Sequence, residues 1–353
     1  MIHATPPVYS SCAPPAEAFP EWPSGWYIVA QSCQLTRRPI ALELFGRRLV
    51  CFRSADENPV VMDAKCWHLG ADLSTGNVVG DQIVCPFHGW RYGVSGKCEH
   101  IPSQSEIPDC ARQRNYCATD FAGHVFVYPA SQSDYPVPFF EGTDSSDLVA
   151  APSFEFVIGC PWWLVGTNGF DFQHFDGPHN RRLVSQPSIE ATHPAACRIV
   201  ATFEVCGQDL RDRLTRRFAG SRVTMDLTVW SGTLAFVMAH FHDPLRSGSG
   251  VRGTTSYGMT EICPVASAPD KKSQVRVTIF RQRRLGLGLL DWFDVRLKRY
   301  FIRAFLRPDT LLLDGATYNP DHLIEADIQM IAYLRWLVLA SRNQTALEEP
   351  ISC

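Results

Sequence analysis

The stretches CWHLGADLSTG, at residues 66–76, and CPFHGWRYG, at residues 85–93, decide the fold of this chain. Each places one cysteine and one histidine close together, and the four residues are Cys66, His68, Cys85 and His88. Two thiolates and two imidazoles presented by two loops are a complete donor set for a metal site. The spacing alone allows either a [2Fe–2S] cluster or a structural zinc ion.

The glycines beside these pairs favour the cluster. Leu69-Gly70 follows the first pair and Gly89-Trp90 follows the second. Glycine allows tight loops in which backbone N–H groups can donate hydrogen bonds to the sulfur atoms of a cluster. Two histidines on one iron would raise the reduction potential above that of an all-cysteine cluster.

Short runs of β-branched and aromatic residues, separated by Gly, Asn and Asp, surround the two loops. They predict a small all-β domain over residues 22–130, and a proline-rich stretch precedes it. The predicted strands are residues 25–30, 48–53, 59–63, 82–85 and 124–128.

Both stretches closely resemble the cluster-binding loops of Rieske proteins, as does the approach GDQIVC at residues 80–85. Rieske proteins of cytochrome bc complexes carry two further loop cysteines that pair as a disulfide, and this chain has neither at the corresponding places. The resemblance therefore points to the oxygenase or ferredoxin branch. A ferredoxin would end near residue 130, so the remaining chain needs another explanation.

A second group of candidate metal ligands follows in the pattern N-x-x-D-x-x-H-x-x-x-x-H. Its members are Asn168, Asp171, His174 and His179. Two histidines at this spacing can meet one metal from a helix and its irregular end. With one carboxylate they form a facial triad that suits ferrous iron and leaves positions open. The pattern alone also fits an ordinary helix end that binds no metal.

A polar and acidic stretch at residues 129–149 is the predicted linker, and a second domain is expected over residues 150–353. Strands are predicted at residues 197–206, 222–230, 233–242, 254–262 and 274–281, and helices at residues 289–306 and 322–341. An antiparallel sheet combined with helices defines an α+β class. The order of the two metal motifs resembles the α subunits of Rieske oxygenases, which implies a helix-grip catalytic domain with mononuclear Fe(II) and O2 as co-substrate.

The third iron ligand is expected to be a carboxylate much later in the chain, and two aspartates compete. Asp327 interrupts an apolar stripe on the second predicted helix, where a carboxylate needs a partner. Glu325-Ala326-Asp327 also resembles the acidic setting of the family's ligand aspartate. Asp309 follows Pro308, where an aspartate favours the dipole of a starting helix without any metal. We therefore predict His174, His179 and Asp327 as the iron ligands.

Asp171 has a separate role in the resemblance. In trimeric members, the corresponding aspartate joins a cluster histidine of one subunit to an iron-ligand histidine of the next. Here those histidines would be His88 and His174. A carboxylate bonded to both imidazoles fixes their orientation and gives an electron a short route. The resemblance thus implies a homotrimer, although an aspartate that merely caps the local helix is the simpler alternative.

The composition is that of an ordinary globular protein, with 353 residues of which 45% are hydrophobic and 20% charged. A formal charge of −3 provides no basic field for nucleic acid or anionic lipid. No secretory signal or membrane-length apolar stretch is evident. The 13 cysteines, without an export signal, fit a reducing environment. We expect a cytoplasmic protein that binds neither nucleic acid nor membrane.

The closest resemblance is to 3-ketosteroid 9α-hydroxylases, sterol oxidases and alkaloid-tailoring hydroxylases, through GWYIVA at residues 25–30 and the second cluster loop. It implies a monooxygenase that hydroxylates a polycyclic organic substrate. No flavin, nicotinamide or C-x4-C-x2-C pattern occurs, so a separate NAD(P)H-dependent reductase, with or without a ferredoxin, would supply electrons. An electron-transfer or cluster-sensing protein with a degenerate second domain, an aromatic-acid O-demethylase and a desaturase stay open as alternatives.

Overall fold

The computed structural model describes residues 13–242, 255–283 and 288–342. These residues form two units, the first spanning residues 24–138 and the second combining residues 13–23 with residues 139–342. The division after residue 138 lies within the predicted linker. That residues 13–23 join the second unit was not predicted from the sequence.

The first unit consists of three small antiparallel sheets, with the strand orders β1-β11-β10, β2-β3-β4-β9 and β5-β6-β7-β8. Its strands are β1 (Tyr27–Gln31), β2 (Ile40–Leu44), β3 (Arg47–Arg53), β4 (Pro59–Asp63), β5 (Asn77–Val79), β6 (Gln82–Val84), β7 (Arg91–Tyr92), β8 (Cys98–His100), β9 (Asn115–Tyr116), β10 (Ala118–Phe121) and β11 (His124–Val127). The stretch from Cys66 lies between β4 and β5, and the stretch from Cys85 lies between β6 and β7. The predicted all-β architecture is confirmed.

The core of the first unit lies directly beneath these two stretches. Phe52, Met62, Ile83 and Tyr92 are fully buried there. They belong to one hydrophobic cluster that also contains Cys66 and Cys85. Strand alternation accounts for this arrangement, because every second residue of a strand points to the same face. The two cysteines are therefore part of the hydrophobic core of the unit.

The second unit is built on a nine-stranded antiparallel sheet. Its main order is β12-β20-β19-β18-β17-β16-β14, with β13 also pairing with β20 and β15 with β16. The strands are β12 (Leu148–Ala150), β13 (Phe154–Ile158), β14 (Arg181–Leu183), β15 (Ser188–His193), β16 (Ala196–Val205), β17 (Arg222–Trp230), β18 (Leu234–His242), β19 (Thr255–Pro264) and β20 (Ser273–Gln282).

Five α-helices accompany the strands among the described residues. They are α1 (Trp162–Thr167), α2 (Gln173–Asp176), α3 (Leu210–Phe218), α4 (Gly288–Leu313) and α5 (Ile328–Ala340). The predicted α+β class with an antiparallel sheet is confirmed. Helix α3 was not predicted, because its surface is dominated by charged residues and offers little apolar periodicity.

The end of α4 differs from its prediction in a way that matters for the site. Pro308 lies inside the helix, which runs on to Leu313, whereas the sequence suggested a new helix after the proline. Proline has no N–H to offer the carbonyl of the residue four positions earlier. That carbonyl belongs to Ala304 and instead accepts a hydrogen bond of 3.1 Å from Nη1 of Arg211 in α3. The lost helix bond is thereby replaced.

The segment of residues 13–23 packs onto the second unit through one aromatic side chain and several carbonyls. Phe19 stacks on Trp163 with ring centroids 4.4 Å apart. The Pro20 carbonyl accepts from Nε1 of Trp162 at 2.9 Å, and the Pro14 carbonyl accepts from the Tyr318 hydroxyl at 2.8 Å. These contacts explain why this segment belongs to the second unit. In the described parts of the chain, every helix is too short or too polar to cross a lipid bilayer.

Candidate metal centres

The two stretches of the first unit form loops of nearly the same backbone geometry. The N–H of Gly70 donates to the Cys66 carbonyl at 2.8 Å, and the N–H of Gly89 donates to the Cys85 carbonyl at 3.1 Å. Both glycines adopt left-handed backbone angles, with φ of 72° and 70°. Residues with a Cβ atom rarely adopt this conformation, which explains the need for glycine in each loop.

The cysteine and histidine side chains of the two loops differ in their exposure to solvent. Cys66 and Cys85 are each 3% exposed, whereas His68 and His88 are exposed to solvent. The two imidazole rings lie 4.8 Å apart, and His68 stacks on Trp90 with ring centroids 4.6 Å apart. The structure thus brings all four predicted residues together, with the thiols inside and the imidazoles outside.

Burial raises the pKa of the Cys66 thiol, although a hydrogen bond with Tyr92 opposes the shift. A thiolate in such a place is unfavourable unless a cation compensates its charge. The Tyr92 hydroxyl lies 3.1 Å from the Cys66 sulfur, and burial raises the pKa of Tyr92 far above its ordinary value. Tyr92 therefore stays protonated and can donate to a thiolate. Two buried thiols with two outward imidazoles fit a [2Fe–2S] cluster held by one cysteine pair and one histidine pair.

The second unit brings together His174, His179 and Asp309. Their ligand atoms lie within 4.8 Å of one another, and Nε2 of His179 is 2.7 Å from a carboxylate oxygen of Asp309. Two atoms bound to one ion by bonds of about 2.1 Å lie up to about 4.2 Å apart, so small shifts suffice for binding. Two imidazoles and one carboxylate are the donor set of a ferrous facial triad.

The local chain prepares His174 for this role. Nδ1 of its ring is hydrogen-bonded to the Asp171 carbonyl, which leaves Nε2 available for a metal. Burial lowers the pKa of His174 below its ordinary value, although the nearby carboxylates of Asp171 and Asp309 oppose the shift. The imidazole is therefore neutral near pH 7, and only the neutral ring has a lone pair for a metal.

His179 is held by its aromatic neighbour on α4. Its ring stacks on Phe305 with centroids 4.1 Å apart and an interplanar angle of 22°. Phe305 and Asp309 are separated by one helical turn, so one face of α4 supplies both contacts. Phe305 was missed in the sequence analysis, because nothing local distinguishes it from other apolar residues of the helix.

The structure does not bring Asp327, the predicted third ligand, to His174 and His179, because Asp309 lies there instead. The carboxylate of Asp327 accepts hydrogen bonds from Nε2 of Gln173 at 2.7 Å and from the N–H of Ile324 at 2.9 Å, at the start of α5. The Asp327 carboxylate therefore closes the short 3-10 turn Glu325–Asp327 that precedes α5. The difference from the prediction followed from reading Pro308 as a helix start. Because α4 continues through that proline, it carries Asp309 to the two histidines.

Asp171 lies beside His174 but does not bond to it through its side chain. Its Oδ2 atom is 3.8 Å from Nδ1 of His174, beyond hydrogen-bonding distance, and its Oδ1 accepts from the N–H of Gln173 at 3.0 Å. The side chain is 32% exposed. The carboxylate is thus accessible from outside and close to one of the candidate iron ligands.

A cavity of about 370 Å³ opens beside His174, His179 and Asp309. A large apolar part of its wall comes from alternate residues of the sheet, which therefore share one face. These are Val223, Met225, Leu227, Val229, Ala235, Val237, Ala239, Phe241, Gly258, Ile262, Val275, Val277 and Ile279. A mostly apolar cavity of this size with a few polar groups at one end has the character of a small-molecule site.

Comparison with known proteins finds a family match in the first unit and relatives for part of the chain. The family described as the Rieske [2Fe-2S] domain matches residues 25–114. The cholesterol 7-desaturase nvd of Drosophila melanogaster is 33% identical over 174 residues, which are 47% of this chain and 40% of that protein. The oxygenase component of the 3-ketosteroid-9-alpha-monooxygenase of Rhodococcus rhodochrous is 38% identical over 115 residues, 32% of this chain and 30% of that protein. Each match spans less than half of the relative's own length.

Solved structures show that the similarity in fold extends over nearly the whole chain. Dicamba monooxygenase bound to dicamba superposes with a TM-score of 0.66, at 15% identity, over 88% of this chain and 95% of that chain. NdmA of Pseudomonas putida CBB5, as a mutant with caffeine, gives a TM-score of 0.66 at 20% identity over 88% of both chains. At these identities the likeness concerns the fold alone.

The loops, their buried thiols and the family match define the first unit as a Rieske [2Fe-2S] domain. Part of the chain is similar in sequence to the oxygenase component of a 3-ketosteroid-9-alpha-monooxygenase, and nearly the whole chain shares the fold of dicamba monooxygenase.

Replacing Tyr92 by phenylalanine is expected to lower the reduction potential of the cluster by about 20–60 mV. A hydrogen bond to a ligand sulfur stabilises the more electron-rich reduced state, and about 0.5–1.5 kcal/mol per bond converts to this range for one electron. Redox titration of the purified protein measures the shift.

Tyr116→Phe is the matched control for this change. Tyr116 is also a buried tyrosine of the first unit, but its hydroxyl donates to Asp63 at 2.8 Å and not to a cysteine. Its replacement should leave the potential unchanged. Equal potentials for Tyr92→Phe and the wild type would show that the hydroxyl does not act on the cluster.

Proposed function

We propose that this chain is the oxygenase component of a Rieske-type system that hydroxylates an uncharged, largely apolar polycyclic molecule with O2. The observation that carries the proposal is the group of His174, His179 and Asp309 at the wall of a cavity of about 370 Å³. When bound, a [2Fe–2S] cluster transfers single electrons and a ferrous ion activates oxygen. A separate reductase would supply the electrons, in keeping with the relative whose name is that of an oxygenase component.

The charges of the cavity wall support an uncharged substrate. Each arginine there faces an aspartate, Arg181 with Asp212 at 2.7 Å and Arg211 with Asp209 at 3.0 Å. No unpaired cation in the described part of the wall is thus available for a substrate carboxylate, and burying an unpaired charge is costly. The apolar strand residues are instead suited to a hydrocarbon skeleton. This argues against the aromatic-acid alternative.

We further propose that three chains assemble into a ring and that Asp171 lies on the route by which electrons pass from the cluster of one chain to the iron site of the next. The exposed imidazole of His88 would donate to the Asp171 carboxylate of a neighbouring chain, while that aspartate orients His174 of its own chain. The exposure of His88 and the accessible carboxylate of Asp171 support this arrangement. The hydrogen bond between Nδ1 of His174 and the Asp171 carbonyl would keep Nε2 of that ring directed at the metal.

The proposal predicts about three irons per chain and substrate-dependent oxygen use in the presence of a reductase. Iron analysis, the Rieske electron paramagnetic resonance signal and mass spectrometry of products from neutral steroids measure these quantities together. Two irons per chain with no turnover would instead support an electron-transfer or cluster-sensing protein. A desaturated product without added oxygen would correct hydroxylation to desaturation.

A matched pair of substrates tests the charge of the cavity. We expect a neutral polycyclic ketone to be bound at least about tenfold more tightly than its carboxylated counterpart, because each 1.4 kcal/mol of uncompensated charge burial costs one factor of ten. Substrate-induced changes in the spectrum of the ferrous site measure the two dissociation constants. Equal or tighter binding of the acid would contradict the proposed substrate class.

A further inference from the structure

We propose that Arg181 and Asp212 form a clamp that positions His179, and that α3 thereby sets the geometry of the iron site. We call this buried ion pair the Arg181–Asp212 clamp. The inference rests on the proposed function, because it assigns positioning residues to the site that His179 would share with a ferrous ion. None of the motifs in the sequence pointed to either residue.

The first step of the argument is the contact between Arg181 and the backbone of the ligand. Nη1 of Arg181 donates to the His179 carbonyl at 2.9 Å and to the Asn180 carbonyl at 3.2 Å. Asn180 has a left-handed φ of 52°, an unusual angle for a residue other than glycine. This conformation lets two successive carbonyls face the same guanidinium. The carbonyls of His179 and Asn180 are therefore both held by Arg181.

The second step is the anchoring of Arg181 itself. Its Nη2 atom lies 2.7 Å from Oδ1 of Asp212, and both side chains are about nine-tenths buried. The chain makes room for this carboxylate at Gly207, where an added Cβ atom would come within 1.7 Å of Oδ2 of Asp212. The guanidinium also lies over the ring of Phe305, which stacks on His179. Arg181 is thus fixed by Asp212 and by Phe305, and Phe305 itself contacts the ligand His179.

The third step is the connection of α3 to the other ligand. Arg211, next to Asp212 in α3, donates to the Ala304 carbonyl that Pro308 leaves without a helix partner. Asp309 directly follows that proline in α4. Neighbouring residues of α3 therefore support the backbone at His179 and the helix that carries Asp309.

Stability alone gives no reason to keep such a pair in the wall of an apolar cavity. Burying two charges costs several kcal/mol of solvation, and apolar replacements of similar shape are often neutral or stabilising. Removing only one partner, by contrast, leaves an uncompensated charge. The pair is better explained by its directional hydrogen bonds, because a fork of donors fixes two carbonyls and a carboxylate in one geometry.

A double variant can separate the effect of the ion pair on stability from its effect on the geometry at His179. In Arg181→Met/Asp212→Leu the side chains keep their approximate shapes but lose the hydrogen bonds. We expect a thermal midpoint close to that of the wild type, an unchanged Rieske spectrum and a 10–100-fold weaker binding of Fe²⁺, the usual effect of removing groups that orient metal ligands. Anaerobic titration of the iron-depleted second site with Fe²⁺ measures the affinity. The ligand-field bands of Co²⁺ bound there should shift.

Arg198→Met/Asp226→Leu is the matched control. Arg198 and Asp226 form a similar ion pair, at 2.6 Å, between β16 and β17. Asp226 alternates with cavity-lining residues of its strand and so lies on the opposite face of the sheet. This variant should bind Fe²⁺ like the wild type. An equal loss of affinity in both double variants would overturn the inference, because the loss would then reflect general destabilisation.

A folded Arg181→Met/Asp212→Leu variant with wild-type affinity for Fe²⁺ and wild-type Co²⁺ bands would also overturn it. If that variant does not fold, Arg181→Lys decides, since lysine keeps the charge but not the fork of donors. It should bind Fe²⁺ more weakly, and wild-type affinity would again refute the clamp. A wild-type chain that binds no Fe²⁺ in its second unit would overturn the proposed function as well, so the two failures are distinguishable.

Discussion

Asp309→Ala is expected to empty the iron site of the second unit and to abolish turnover, while the Rieske cluster stays intact. Asp309 supplies the carboxylate beside His174 and His179, and two imidazoles alone do not complete a facial triad. The purified variant should contain about two irons per chain in place of about three. Iron analysis combined with the visible spectrum of the cluster measures both sites in one sample.

Asp327→Ala is the control, because it removes another aspartate of the second unit that the sequence favoured as the ligand. The variant should keep about three irons per chain and lose only the stabilisation of a helix cap, about 0.5–2 kcal/mol. Circular dichroism and thermal midpoints of both variants identify general unfolding. If Asp327→Ala lost the third iron and Asp309→Ala kept it, with both folded, the assignment of the carboxylate would have to be reversed.

Asp171→Asn should slow turnover on the order of 100-fold or more while both metal sites remain loaded. The change preserves the size of the side chain but removes the charge that would bind His88 of a neighbouring chain next to His174. We expect the reductase to reduce the cluster at the normal rate, whereas reoxidation of the cluster by the substrate-bound site becomes slow. Stopped-flow absorbance separates these two steps.

Asp176→Asn provides the comparison, since Asp176 is a solvent-exposed carboxylate of the short helix α2, which begins two residues after Asp171. It should react like the wild type. Normal reoxidation in Asp171→Asn would show that electrons take a different route, and an equal defect in both variants would indicate a general effect of charge on this surface.

The parts of the molecule that the sequence predicted are those that depend on neighbouring residues. Each cluster loop contains its own ligands and its own glycine, so twelve or fewer consecutive residues specify it, as at Cys66 and Gly70. His174 and His179 were likewise found because they lie on one short stretch. Strand alternation predicted the main strands of both units for the same reason.

The parts that were missed depend on contacts between residues far apart in the chain. Asp309 is 130 positions from His179, and its placement requires that α4 pass through Pro308. At that point the freed Ala304 carbonyl accepts from Arg211 of α3, a helix that the sequence did not reveal. Local rules treat proline as a helix boundary and cannot include a hydrogen-bond donor supplied from elsewhere. The difference at Asp327 therefore had a tertiary cause.

The packing of residues 13–23 has a consequence for the order of events during protein synthesis. Among the described residues, the first unit is made from one uninterrupted segment, residues 24–138, and can fold once that segment has left the ribosome. Phe19 is synthesised earlier, but its cluster of neighbours includes Leu334 and Leu337 in α5. The core of the second unit must therefore wait until α5 has been synthesised. The two loops that carry Cys66 and Cys85 can be complete while the core beside the candidate iron site is still unfinished.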